Sequence, residues 1–178
     1  MSGDAAEDPG VAARPDPGAI VRLSTAYWDS QTLLTANRLR IFDLLADGPR
    51  SAQDVAAVLR LDVRATGLFL RACTGLGLLQ HRGDRYQNSP DAAMFLVSRS
   101  PAYMGNAILY SDQLYDTWGS LEDALRSGRP AMAAEAYLGD DPQRTRTFVH
   151  AMHGRALGIA RALVGILDLQ GRRDMLDV

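Results

Sequence analysis

The chain has 178 residues, 47% hydrophobic and 22% charged, the composition of a globular protein with room for one ample core or two small domains. A formal net charge of −2 argues against a general nucleic-acid binder, and no run approaches the roughly 20 apolar residues that a membrane span needs. A single cysteine, Cys73, excludes an internal disulfide and suits a reducing cytoplasm.

All 19 basic residues are arginines, spread along the chain. Residues 50–90 carry six arginines against three acids, so the middle block is locally basic. The first 18 residues are rich in Pro, Gly, Ala and acids. They lack a basic segment followed by an apolar one, so they read as a disordered tail and not as a signal peptide.

Residues 19–46 predict one or two helices, with Ile20, Leu23, Tyr27, Leu34, Ile41, Leu44 and Leu45 at mostly helical spacing. Asp47-Gly48-Pro49 ends them. Ser51 then caps a short helix, with Asp54 at the capping-box position and Val55, Val58 and Leu59 inside. Asp62 can cap a helix over 63–76, with Leu68, Phe69, Ala72, Cys73 and Leu76 as its apolar face. Gly77 breaks it. Strands at 78–81 and 85–88 follow, joined through Arg82-Gly83-Asp84. Three helices and a hairpin in this order predict a winged helix.

After Ser89-Pro90 the pattern returns to helix. Residues 91–97 form a short one. Ser100-Pro101 opens another that runs through Ile108, Leu109 and Leu114 toward Trp118. A helix near 118–127 stops at Gly128, and 129–140 is a connection. Asp141-Pro142 opens the longest helix, 142–168, with Phe148, Met152, Ile159, Leu163 and Leu167 on its apolar face. Past Gly171, Arg173-Asp174-Met175-Leu176-Asp177-Val178 reads as a buried strand of the kind that opens a parallel α/β sheet.

These segments together resemble the S-adenosylmethionine-dependent O-methyltransferases that carry an N-terminal dimerisation domain. The resemblance rests on ANRLRIFDLLADGPRSAQDVAAVL, LFLRACTGLGLLQHRGDRYQNSP, DTWGSLEDALRSG, DPQRTRTFVHAMHGRAL and the final RRDMLDV. It implies a mainly α fold: a tail at 1–18, a winged-helix dimerisation domain at 19–97, a helical substrate-pocket and linker region at 98–170, and the first strand of a Rossmann-like methyltransferase domain at 171–178. It also implies a homodimer, a small aromatic or polyketide-like acceptor, and S-adenosylmethionine as cofactor. The catalytic base and the cofactor loops are expected downstream of Val178, so this chain alone is expected to be inactive.

Phe148, Met152 and Arg155 stand four and three residues apart, which keeps them on one helix face. By resemblance, Phe148 and Met152 line the acceptor pocket and Arg155 faces substrate or cofactor. Without the resemblance, the apolar pair reads as ordinary core. Tyr110 and Trp118, eight residues apart, could share a face and wall a flat acceptor, or simply pack between helices. His153 suits a hydrogen-bonding role near the pocket. With His150 it makes only two candidate metal ligands, short of the usual three or four. Cys73 reads as a buried structural thiol. The competing function is a winged-helix regulator that would read DNA with Arg64, Thr66 and Arg71, aided by Arg82 and Arg85. Asp62 and Asp84 flank those elements and weaken that reading.

Overall fold

The computed structural model describes residues 15–132, 141–168 and 170–174. Residues 1–14 of the tail expected at 1–18, most of the connection, and the strand residues 175–178 lie outside the described residues.

Helix α1 (Gly18–Arg38) and the short α2 (Ile41–Leu45) occupy the first predicted run. Strand β1 (Arg50–Ser51) leads into α3 (Ala52–Leu59). The Ser51 Oγ accepts from the Asp54 N–H at 3.1 Å, and the Asp54 carboxylate accepts from the Ser51 N–H at 3.1 Å. This is the reciprocal capping box that the sequence announces, and those hydrogen bonds lower the Asp54 pKa. Helix α4 (Val63–Gly75) is capped by Asp62, whose Oδ1 accepts from the Ala65 N–H at 2.7 Å.

Strands β2 (Leu79–Arg82) and β3 (Arg85–Asn88) form an antiparallel hairpin. Gly83, at φ 63°, opens its two-residue turn, a position where only glycine adopts positive φ without strain. The sheet order is β1-β3-β2, with Arg50 opposite Tyr86 and His81 opposite Tyr86 on the other side. β1 has two residues, too few to leave a period-2 signal in the sequence.

The core gathers Ala36, Ile41, Phe42, Leu45, Val55 and Leu70 with residues of the sheet. Each large side chain there is worth about 1.5–3 kcal/mol of burial. The Asn88 amide donates to the Phe42 carbonyl at 2.8 Å and ties β3 to α2. Two expected faces are rotated. On α4 the buried side chains are Thr66, Leu70 and Cys73, while Leu68, Ala72 and Leu76 are exposed. On α3 they are Val55 and Ala56, and Val58 is exposed. In both helices a small residue or a hydroxyl takes the inner position that a large apolar residue was expected to fill. Thr66 manages this because its hydroxyl donates to the Asp62 carbonyl at 2.7 Å.

Helix α5 (Pro90–Phe95), capped by the Ser89 hydroxyl, follows the hairpin. The next helix does not start at Pro101. The N–H groups of Tyr103 and Met104 are spent on the carbonyls of Ser100 and Phe95, closing turns, and α6 (Gly105–Gln113) begins only after them. The expected run toward Trp118 is broken at Leu114 and again at Ser120, giving α7 (Tyr115–Gly119) and α8 (Leu121–Ser127). Helix α9 (Pro142–Ile166) is capped by Asp141, whose Oδ1 accepts from the N–H groups of Gln143 and Arg144. Its distal apolar residues, Ile159, Leu163 and Leu167, are exposed rather than buried.

The rotated face of α4 makes a direct test. Leu70→Ala should cost about 2–5 kcal/mol, as for a fully buried leucine, while Leu68→Ala should stay within ~1 kcal/mol. Urea denaturation of the two variants measures both; equal losses would restore the face first read from the sequence.

Candidate functional site

The candidate site lies where α9 meets α6. Two small residues of α9 let the helices approach. Ala151 is fully buried, and a Cβ built on Gly154 would sit 3.8 Å from the Tyr103 carbonyl oxygen and 3.9 Å from the Ala107 Cβ. Helix α6 is in turn pinned to α1. The Asn37 amide donates to the Gly105 carbonyl at 3.0 Å, and the Arg38 guanidinium holds both Asp112 oxygens at 2.6 and 2.7 Å. A Cβ on Gly105 would meet the end of the Tyr103 ring, which would have to swing aside. Burial raises the pKa of that Tyr103 hydroxyl, with smaller opposing effects from Asp43 and Arg40.

On this frame Phe148, Met152 and Arg155 project along one flank of α9, at the helical spacing that the sequence predicts. Phe148 and Met152 are half-buried. The Phe148 ring meets the Tyr110 ring edge-on, with centroids 5.6 Å apart and planes at 70°. Arg155 stands over the same Tyr110 ring at 5.7 Å and donates from Nη2 to the Ser111 hydroxyl at 3.0 Å. Tyr110, 9% exposed, is thus the hub of the cluster.

Trp118 is not in that cluster. The break at Leu114 turns it away, and it stands 68% exposed on the wall of a groove of about 580 Å³. Tyr27, Ser30 and Leu34 of α1 form one side of the groove, Ile108 and Ser111 of α6 its floor, and Arg155 its rim. Arg155 therefore joins the aromatic cluster to the groove. His153 is exposed, and at 100° per residue it lies on the far side of α9 from the Phe148 stripe. Among the described residues no group of three or more His, Cys, Asp or Glu side chains could hold a metal.

Tyr27 and Ser111 were not legible as site residues. Tyr27 fits the helical apolar pattern of α1, and a lone serine on α6 gives no signal until Arg155 is seen to reach it. Cys73 is fully buried, and burial pushes its thiol up to about 12, so it is no nucleophile at neutral pH. The candidate DNA-reading helix loses Thr66, which is 3% exposed, and Arg85 donates to the Pro49 carbonyl at 3.1 Å. No helix among the described residues is long and apolar enough to cross a membrane.

Residues 21–98 match the family model of the O-methyltransferase dimerisation domain. Residues 21–98 belong to this family. The chain is 34% identical over 168 residues to the N,N-dimethyltransferase OxyT of Streptomyces rimosus, covering 90% of this chain and 49% of that one. It is 35% identical over 157 residues to the tetracenomycin polyketide synthesis 8-O-methyl transferase TcmO of Streptomyces glaucescens, covering 85% of this chain and 46% of that one. The structure of human N-acetylserotonin methyltransferase in complex with SAM superimposes with a TM-score of 0.74 at 26% identity, over 89% of this chain and 51% of that one. The chain spans about half the length of the curated relatives it matches. In the dimerisation-domain match, the three-stranded sheet and the helices α1 to α5 are the matched unit, and α6 to α9 extend beyond it.

The seam between α6 and α9 yields a prediction. Gly154→Ala should be tolerated, since the space is there and alanine gains up to about 1 kcal/mol of helix propensity over glycine. Gly154→Leu should push α9 off α6. Hydrogen exchange should then show α9 amides losing protection while those of α4 keep theirs; protection unchanged in α9 would mean the seam does not hold it.

Proposed function

We propose that this chain forms the dimerising and acceptor-holding N-terminal half of an S-adenosylmethionine-dependent methyltransferase. It would act in the cytoplasm, as a homodimer, on a small aromatic or polyketide-like acceptor. The observation that carries this reading is the dimerisation-domain match over residues 21–98. Two features support it. Helix α1 leaves Ile20, Leu23 and Trp28 between 59% and 78% exposed, more apolar surface than an isolated helix face comfortably shows to water. Relatives that align over most of the chain include one named for polyketide synthesis.

In this reading Tyr110, Phe148 and Met152 are an apolar wall for a flat acceptor, Trp118 offers an aromatic face apart from them in the adjoining groove, and Arg155, which borders both, faces the acceptor. His153 takes no part in that wall. The relatives methylate nitrogen in one case and oxygen in another, so the accepting atom follows from the acceptor bound rather than from these residues. The cofactor would supply an electrophilic methyl group. It needs a Gly-rich loop after a parallel strand and an acidic group for the ribose. The described residues hold no such arrangement, so none of them is assigned to it. A DNA-binding role has no observation in its favour.

The dimer is tested by sedimentation equilibrium at tens of micromolar, an order of magnitude chosen well above the affinities of stable interfaces. The expected mass is twice 19.3 kDa. Ile20→Asp with Leu23→Asp should return it to the single-chain value with the helical content kept. A well-folded wild-type monomer at that concentration contradicts the reading.

A further inference from the structure

Among the described residues Arg155 is a cation without a counter-ion. The ion pairs of the described residues use Arg38, Arg40, Arg99, Arg126 and Arg144, and none uses Arg155. Asp112 is the chain neighbour of its hydrogen-bond partner Ser111. That carboxylate is fully engaged by Arg38, and its side chain is 11% exposed. The guanidinium is nonetheless held in place. Its Nη2 donates to the Ser111 hydroxyl, which itself donates to the Ala107 carbonyl at 3.2 Å, and Tyr110 lies beneath it. An arginine fixed by a hydroxyl and a ring keeps further N–H donors in a planar fork, the geometry that matches a carboxylate.

What this fork borders is equally specific. The groove beside it is walled by Tyr27, Tyr115 and Trp118, floored by Ile108 and Leu114, and lined by no acidic side chain among the described residues. Its volume, about 580 Å³, falls in the range of small-molecule sites. Flat aromatic walls, an apolar floor and one oriented cation at the rim complement a flat, hydrophobic anion.

We propose that the groove between α1, α6 and α7 binds a planar aromatic carboxylate, with Arg155 pairing its carboxylate and Trp118 stacking on its rings. This rests on the acceptor-binding reading above and narrows it from small aromatic compounds to aromatic acids. Ser111 is a positioning residue that aims the guanidinium. Arg155 sets specificity by charge, and the aromatic walls supply affinity whatever the charge.

The test is calorimetric titration of the protein with 1-naphthoate and with its neutral isostere 1-naphthamide. Naphthoate should bind roughly tenfold tighter or better, the usual worth of one charged hydrogen-bonded pair. Arg155→Gln should remove that preference and leave naphthamide binding unchanged, and Arg155→Lys should restore part of it. Trp118→Ala should weaken both ligands alike. Ser111→Ala should reduce the preference without touching naphthamide. Because Arg155 is exposed, the variants should melt with the wild type, which circular dichroism checks. Equal affinity for the two ligands overturns the charge assignment while aromatic binding stands. A preference that survives Arg155→Gln overturns it as well. If neither ligand binds, the acceptor reading falls with it. If Trp118→Ala leaves both affinities unchanged and lowers the sedimentation mass, a second copy covers the groove and the proposal fails.

Discussion

The close approach of α9 to α6 is the constraint on which the candidate site depends. It is possible only because Ala151 and Gly154 face Ala107 and the Tyr103 backbone. A side chain larger than alanine at residue 151 or 154 would open a gap in which dispersion contacts are lost outright. With the seam closed, Phe148 reaches Tyr110 and Arg155 reaches Ser111. Without it, the residues of α9 would have no fixed relation to those of α6. The seam is also what joins the two parts of the fold. Asn37 and Arg38 carry its position back to α1 and from there to the core around Phe42 and Leu70.

Polar contacts do much of this joining, and their settings differ in worth. Asp112 is largely covered and takes both its bonds from Arg38, so losing Arg38 would strand a carboxylate that water scarcely reaches. The pairs Arg99–Asp47 and Arg126–Glu122 are open to solvent at both ends and contribute little. The same arithmetic sets Arg155 apart, since its partner is a neutral hydroxyl and its charge is left to whatever enters the groove.

Much of the local structure was legible because it is encoded by nearest neighbours. Ser51 with Asp54, Asp62, Asp141-Pro142 and Gly83 each act within three or four residues, and each stands where the sequence puts it. The apolar faces were less legible. Leu68, Val58 and Ile159 fit a helical period and are exposed, while Thr66, Ala56, Ala151 and Gly154 are buried. Periodicity weighs a residue by its hydrophobicity. Packing selects by size at a close approach, and a threonine that bonds its own helix costs nothing to bury. The start of α6 failed for another reason: Met104 donates to Phe95, nine residues back, which no local capping rule contains. In the site, the stripe Phe148, Met152 and Arg155 was visible by spacing, but its pairing with Tyr110, and the separation of Trp118 from it, follow from the break at Leu114.

The central claim is that the Phe148–Tyr110 cluster holds an acceptor rather than merely filling core. Under the proposed function, steady-state kinetics of a methyltransferase that includes this sequence, with acceptor and cofactor varied separately, test it most directly. The account predicts that Phe148→Ala lowers kcat/KM for the acceptor on the order of a hundredfold, because an acceptor displaced by about 1 Å reacts that much more slowly. The KM for S-adenosylmethionine should stay near wild type. Unchanged acceptor kinetics with only a lower Tm would contradict the account and leave Phe148 as a packing residue.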